Sequence, residues 1–109
     1  MKKNIFTALG LMSGTSMDGL DLSMIQTDGH DYIAQISNKY YEFDDQLYKD
    51  LINLRENIFN SQDLRNNISL VDKIEKKFTF FNAKIINEFL DQENIKPNLI
   101  GIHGQTIYH

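Results

Sequence analysis

The sequence contains no cysteine, which excludes a disulfide framework, a thiolate zinc site and a cysteine nucleophile. It also lacks a basic surplus: 11 Lys and Arg against 15 Asp and Glu give a formal net charge of −4. That sign opposes phosphate-backbone binding, so no nucleic-acid partner is expected. No run of about 20 apolar residues occurs, so no membrane-spanning helix or membrane partner is expected. There is no internal repeat, low-complexity segment or linker, and the one proline is Pro97. What is present is 109 residues, 41% hydrophobic and 24% charged, the balance of a folded soluble domain. A chain of this size buries about two-thirds of its unfolded surface, enough for a core.

The two ends differ in character. Lys2 and Lys3 precede the apolar residues 5–12, with Ser13 and Gly14 behind them, an arrangement that imitates a secretory leader. The run is short and interrupted by Thr7, so it reads instead as a first strand buried on both faces, and the expected compartment is the cytoplasm. Residues 99–109 are apolar and strand-like with polar residues at the close. Domains usually end in exposed, poorly ordered residues, so a chain closing in core-like sequence is expected to be a truncated product.

Between the ends the periodicity changes once. Leu20, Leu22 and Met24 alternate with Asp21 and Ser23, the period of a half-buried strand. Asp28-Gly29 predicts a tight turn, and an Ile- and Tyr-rich strand follows over residues 32–43, completing an antiparallel meander. Asp44 is placed to cap a helix carrying Leu47, Leu51, Leu54 and Ile58. After a break at Asn60-Ser61, apolar residues from Leu64 to Phe89 recur at steps of three or four. They predict one long helix ending near Glu93, with Asn94 as its C-cap and Pro97 as the stop. Lys73, Lys76, Lys77 and Lys84 lie mostly off that stripe and read as a solvated face. A fourth strand starts near Leu99. The order β-β-β-α-α-β, with a helical crossover into a parallel strand, defines an α/β fold with a mixed sheet.

The densest chemistry lies between the first two strands. Gly14-Thr15-Ser16-Met17-Asp18-Gly19-Leu20-Asp21 places glycines, hydroxyls and carboxylates together. Glycines allow close approach of backbone N–H groups to a phosphate, and consecutive N–H groups form anion-binding nests. Asp18 or Asp21 offers oxygen to magnesium, which takes oxygen ligands and keeps several waters. Gly14 and Gly19 have P-loop spacing, but Leu20 and Asp21 stand where Lys and Ser/Thr belong, and the glycines do not fit G-x-G-x-x-G. The same composition also makes an ordinary hairpin turn, and composition alone does not choose between them. A lone histidine is weak evidence of a ligand, so His103 by itself reads first as a structural histidine.

Residues 10–21, Gly-Leu-Met-Ser-Gly-Thr-Ser-Met-Asp-Gly-Leu-Asp, resemble the N-terminal signature G-L-M-S-G-T-S-x-D-G-x-D of the anhydro-N-acetylmuramic acid kinase family. Residues 101–109, Gly-Ile-His-Gly-Gln-Thr-Ile-Tyr-His, resemble that family's later G-x-H-G-Q-T-x-x-H segment. The resemblance spans the chain but only the first part of a family member.

The resemblance implies an incomplete N-terminal lobe over residues 1–109, of the actin-like (ribonuclease H-like) ATPase fold shared by sugar kinases, heat-shock chaperone ATPases and actin. It implies that ATP and magnesium (Mg2+) convert 1,6-anhydro-N-acetylmuramic acid to N-acetylmuramic acid 6-phosphate, with water opening the anhydro ring, in cytoplasmic murein recycling. Gly14, Thr15, Ser16, Met17, Asp18, Gly19, Leu20 and Asp21 carry over as the ATP-phosphate element, and Asp18 and Asp21 as the available magnesium carboxylates. His103, Gly104, Gln105 and Thr106 carry over as the sugar side. Many members of the wider superfamily have an acidic residue where Met12 stands. The family's catalytic base and adenosine-binding part lie beyond residue 109, so no catalytic residue is assigned within the chain. A full-length homodimer is implied. Alternatives are a non-catalytic gene remnant, or one chain of a split kinase whose C-terminal lobe is a separate polypeptide.

Overall fold

The Asp28 carboxylate builds the first turn: its Oδ1 accepts from the backbone N–H of His30 at 2.9 Å and of Tyr32 at 3.1 Å. Gly29 supplies the positive φ of +80° that the bend requires. In the computed structural model, which describes residues 4–14, 17–105 and 107, this turn joins the second and third strands of the expected meander. The strands are β1 (Phe6–Ser13), β2 (Gly19–Thr27) and β3 (Ile33–Glu42). Helices α1 (Asp45–Glu56), α2 (Ser61–Asn66) and α3 (Ile68–Glu93) follow, and β4 (Leu99–Ile102) closes the described elements. The sheet order is β3-β2-β1-β4, with β1 antiparallel to β2, β2 antiparallel to β3, and β1 parallel to β4. The chain is therefore an α/β protein with a mixed sheet, as expected.

Two expectations are corrected. First, the stretch from Leu64 to Glu93 is two helices, not one, so the order is β-β-β-α-α-α-β. Asn67 divides them: its Nδ2 donates to the Asp63 carbonyl at 2.7 Å, and a short amide side chain that bonds backbone competes with helix continuation. Both predicted caps form, with Asp44 Oδ1 accepting from Leu47 N at 2.8 Å and Asn94 adopting the left-handed conformation at φ 53°. Second, β1 is buried on one face rather than two. Leu9, Leu11 and Ser13 are buried, while Phe6, Gly10 and Met12 on the alternate face are exposed.

The covered face explains the core. Leu9 and Leu11 pair with Met24 and Leu22 across the β1–β2 register, and this surface meets Leu47, Leu51 and Leu54 of α1 and Ile74, Ile85 and Phe89 of α3 in one buried cluster. These are the apolar stripes that the helical spacing specified. Beside the stripe, Lys77 pairs with Asp50 of α1 at 2.8 Å, and Lys73, Lys76 and Lys84 are exposed to solvent. Among the described residues no helix is long and apolar enough to cross a membrane.

The fourth strand is positioned by its first neighbour. Asn98 bonds Thr7 twice: Oδ1 accepts from Thr7 N at 2.8 Å, and Asn98 N donates to Thr7 O at 2.7 Å. The ladder then runs from Ala8↔Leu99 to Leu11↔Ile102, and His103 N extends it to Leu11 O at 3.2 Å. Since β1 and β4 are parallel, their carboxyl ends lie side by side. Gly14 and His103 follow those ends side by side.

Candidate functional site

The two flanks of the glycine loop are bonded to each other: Met17 N donates to Gly14 O at 3.1 Å. Met17 takes a left-handed φ of 58°, unusual for a residue with a Cβ, and its side chain is 0% exposed in the core. Burial of the thioether side chain stabilises what the backbone angle costs. Leu20 is buried in the same core. Of the eight loop residues predicted to hold phosphate, Met17 and Leu20 therefore turn their side chains away from solvent and offer only backbone. The Met17 N–H is already committed to Gly14. Thr15, Ser16 and Thr106 lie outside the described residues.

Asp18 and Gly19 are held by β3. Phe43 N donates to Asp18 O at 2.9 Å, and Tyr40 Oη donates to Asp18 Oδ1 at 2.8 Å. A Cβ on Gly19 would lie 2.4 Å from both Tyr40 Oη and Tyr41 O, so only glycine lets the phenol reach the carboxylate. Removal of its oxygen from water, the bond to Asp18 and the charges of Asp18, Glu42 and Asp21 push the Tyr40 hydroxyl up to about 12. Asp21 pairs with Tyr40 in the β2–β3 register, so both aspartates flank the same phenol on the open face. Among the described residues no group of three or more His, Cys, Asp or Glu is clustered to hold a metal ion. Two carboxylates suit magnesium, which draws its remaining ligands from water and substrate phosphate.

The 103–107 segment divides its side chains. His103 lies over the open face, where it borders a shallow depression with Met12, Asp21 and the adjacent glycines Gly10 and Gly101. Its Nδ1 lies 3.3 Å from Gly104 O. Gly104 then takes φ +81° and turns the chain back over β1. Gln105 consequently reaches the glycine loop: it bonds the Ser13 hydroxyl through Oε1, and its Nε2 donates to Gly14 O at 3.4 Å. Gly104, Gln105 and Ile107 also border a cavity of about 260 Å³ lined by Leu51, Leu54, Val71, Ile74 and Phe78. The predicted phosphate and sugar segments are thus in direct contact.

Sequence reasoning missed Tyr40 and the role of Ser13. Tyr40 carries a signal only in retrospect, through its register opposite Asp21. Ser13 stood inside the motif as a polar residue at the inward-facing end of β1, where it is 7% exposed.

The sequence profile of the anhydro-N-acetylmuramic acid kinase family matches residues 6–109. Proteins carrying that name are similar along almost the whole chain. One from Pelagibacter ubique is 43% identical over 107 residues, covering 98% of this chain and 28% of its own length. One from Brucella canis is 32% identical over 109 residues, covering 94% and 28%, and one from Rhizobium etli is 33% identical over 106 residues, covering 94% and 29%. The chain spans less than a third of the length of these curated relatives.

Proposed function

Because the chain belongs to the anhydro-N-acetylmuramic acid kinase family, we propose that it is the N-terminal, phosphate-binding part of an ATP-dependent sugar kinase. The activity is phosphorylation of 1,6-anhydro-N-acetylmuramic acid with hydrolytic opening of the anhydro ring, giving N-acetylmuramic acid 6-phosphate, in the cytoplasm. The sheet with its hairpin loop is read as the beginning of an actin-like lobe, and a homodimer as the state of a full-length protein.

The observation that carries this reading is the contact of Gln105 with Ser13 and Gly14 at the carboxyl ends of two parallel strands, the place where open α/β sheets bind ligands. Phosphoryl transfer asks the protein mainly for positioning and charge stabilisation. Gly14 has no side chain to keep phosphate oxygens from the backbone, and Asp18 and Asp21 present carboxylates nearby. Magnesium, when bound there, would neutralise phosphate charge. His103 stands on the same edge, where it can orient a sugar hydroxyl. None of these groups is assigned as the base that activates water, which is expected from the remainder of a full-length kinase.

A two-chain kinase is the second reading, favoured by β4. Leu99 and Ile102 are 64% and 60% exposed and point to opposite faces. A parallel strand apolar on both faces is normally covered on each by helices, which a C-terminal lobe would supply.

The test is binding of Mg-ATP to the 109-residue chain by calorimetry, with mass-spectrometric detection of N-acetylmuramic acid 6-phosphate. Binding without turnover is expected, and turnover on adding a separately expressed C-terminal lobe. Turnover by the chain alone overturns the assignment of the base to another part. Absence of Mg-ATP binding overturns the phosphate-loop reading.

A further inference from the structure

We propose that Gln105 is a positioning residue whose carboxamide ties the glycine loop to the 103–107 segment, so that occupancy of one is felt at the other. The coupling rests on the reading of residues 14–21 as a phosphate loop; the tie itself does not.

Both ends of the carboxamide are engaged on consecutive residues. Oε1 accepts from the hydroxyl of Ser13, and Nε2 donates to the carbonyl of Gly14. That carbonyl is also the acceptor for Met17 N, so Gln105 sits on the oxygen that joins the loop's two flanks. Ser13 is buried at the end of β1, which makes its hydroxyl a fixed post rather than a mobile surface group. A buried hydroxyl left without its bond carries a desolvation cost, so the contact resists opening.

The far side of the segment is equally constrained. His103 N is bonded to Leu11 O, and Ile107 packs against the core cluster. Between these two anchors the left-handed Gly104 directs Gln105 at the loop. A shift of Gly14 on phosphate binding must therefore move Gln105 or break its bonds, and either outcome reaches Gly104 and Ile107. One N–H and one lone pair of the carboxamide remain for a ligand, and they are oriented by the loop itself.

The test is an amide NMR titration of the 109-residue chain with Mg-ATP, comparing the unmodified protein with Gln105→Ala and Gln105→Glu, together with hydrogen exchange measured without nucleotide. In the unmodified chain, Gly14, Met17 and Gly19 are expected to shift with the same half-saturation as Gly104 and Ile107. In Gln105→Ala the loop shifts persist while those at Gly104 and Ile107 fall about fivefold. Gln105→Glu keeps an acceptor for Ser13 but loses the donor to Gly14, and shows the same uncoupling. Without nucleotide, exchange at Met17 N accelerates about threefold in both variants, as loss of one net hydrogen bond predicts, while exchange at Phe89 N stays unchanged and reports an intact core. Undiminished shifts at Gly104 and Ile107 in the variants overturn the coupling. Unchanged exchange at Met17 overturns the tie. If loop amides ignore Mg-ATP in the unmodified chain, the phosphate-loop reading and the coupling built on it fall together, and the Met17 exchange still decides the tie.

Discussion

Tyr40 donates its phenolic hydrogen to Asp18 Oδ1 at 2.8 Å directly over the bare α-carbon of Gly19. Three residues thus form one device. Gly19 provides the gap, Tyr40 spans it, and Asp18 is held at the exit of the glycine loop with its backbone carbonyl also bonded to Phe43 N. The carboxylate proposed for magnesium is therefore oriented before any ligand arrives, which lowers the ordering cost of binding.

Gly19→Ala is expected to be strongly destabilising for a one-carbon change. The new Cβ meets Tyr41 O, a backbone atom that cannot swing aside, at 2.4 Å. Overpacking of this kind costs about 1–3 kcal/mol. Gly10→Ala is the control, because its Cβ would find Ser23 O no nearer than 3.9 Å. Urea denaturation midpoints should fall clearly for the first variant and stay near the unmodified value for the second. Equal effects would show that strand glycines matter here for backbone freedom rather than for the approach of Tyr40.

The same contact gives an alkaline dependence. Tyr40 holds its proton to about 12 in the folded chain, against 10.0 for an ordinary phenol. A group whose folded value is raised adds stability that is complete below its unfolded value and is lost as pH rises toward the folded value. Stability should therefore decline between about pH 10 and 12, beyond the decline shown by Tyr40→Phe, where this contribution is absent. Asp18→Asn removes a charge and should bring the phenol down toward the usual tyrosine range. Ultraviolet titration of phenolate absorbance, with unfolding followed at each pH, checks both.

At the other end of the pH scale, the Lys77 ammonium bonded to Asp50 holds that carboxyl below its usual range, helped by Gln46 and opposed by partial burial. A lowered folded value adds stability that is present above the unfolded value and is lost as pH falls through the folded one. Lys77→Met should remove this acid-side slope. The pair is partly solvent-exposed, so its loss at neutral pH should cost less than about 1 kcal/mol. Urea midpoints compared at neutral pH and at a pH where Asp50 is protonated give the answer, with the two proteins converging in acid.

How these features were legible differs by their physics. The loop and the 103–107 segment are legible through their resemblance to the family's two motifs, since composition alone leaves an ordinary hairpin turn open. The caps at Asp44 and Asn94 are legible from local chemistry, a short side chain or a left-handed residue at a helix end. The Asn67 break was not, since the apolar spacing runs through it and only the side chain's bond to Asp63 O divides the helices. The sequence of β1 suits burial on both faces because Phe6, Ala8 and Met12 are apolar, yet burial depends on what packs against a face, and a strand's own residues do not encode that. Tyr40 was hidden because a tyrosine in a strand is ordinary until the register across the hairpin places it opposite Asp21. The family resemblance implies a ligand role for Gln105, but its direction depends on the positive φ of Gly104.

Met17 sets two effects against each other. Its backbone sits at φ 58°, which costs a non-glycine residue about 1–2 kcal/mol, while its side chain is fully buried, and truncation of such a methionine to alanine costs about 2–5 kcal/mol. The larger quantity is the side chain, so Met17→Gly should destabilise despite relieving the backbone. Met17→Ala should destabilise more, since it loses the packing and keeps the strain. Met17→Leu retains the volume at the same backbone angle and should cost less than about 1.5 kcal/mol. The expected order of urea midpoints is therefore unmodified, Leu, Gly, Ala. A glycine variant more stable than the unmodified chain would mean that the backbone angle, not the buried thioether, dominates at this position, and that the loop is held by Gln105 and Phe43 rather than by its own side chain in the core.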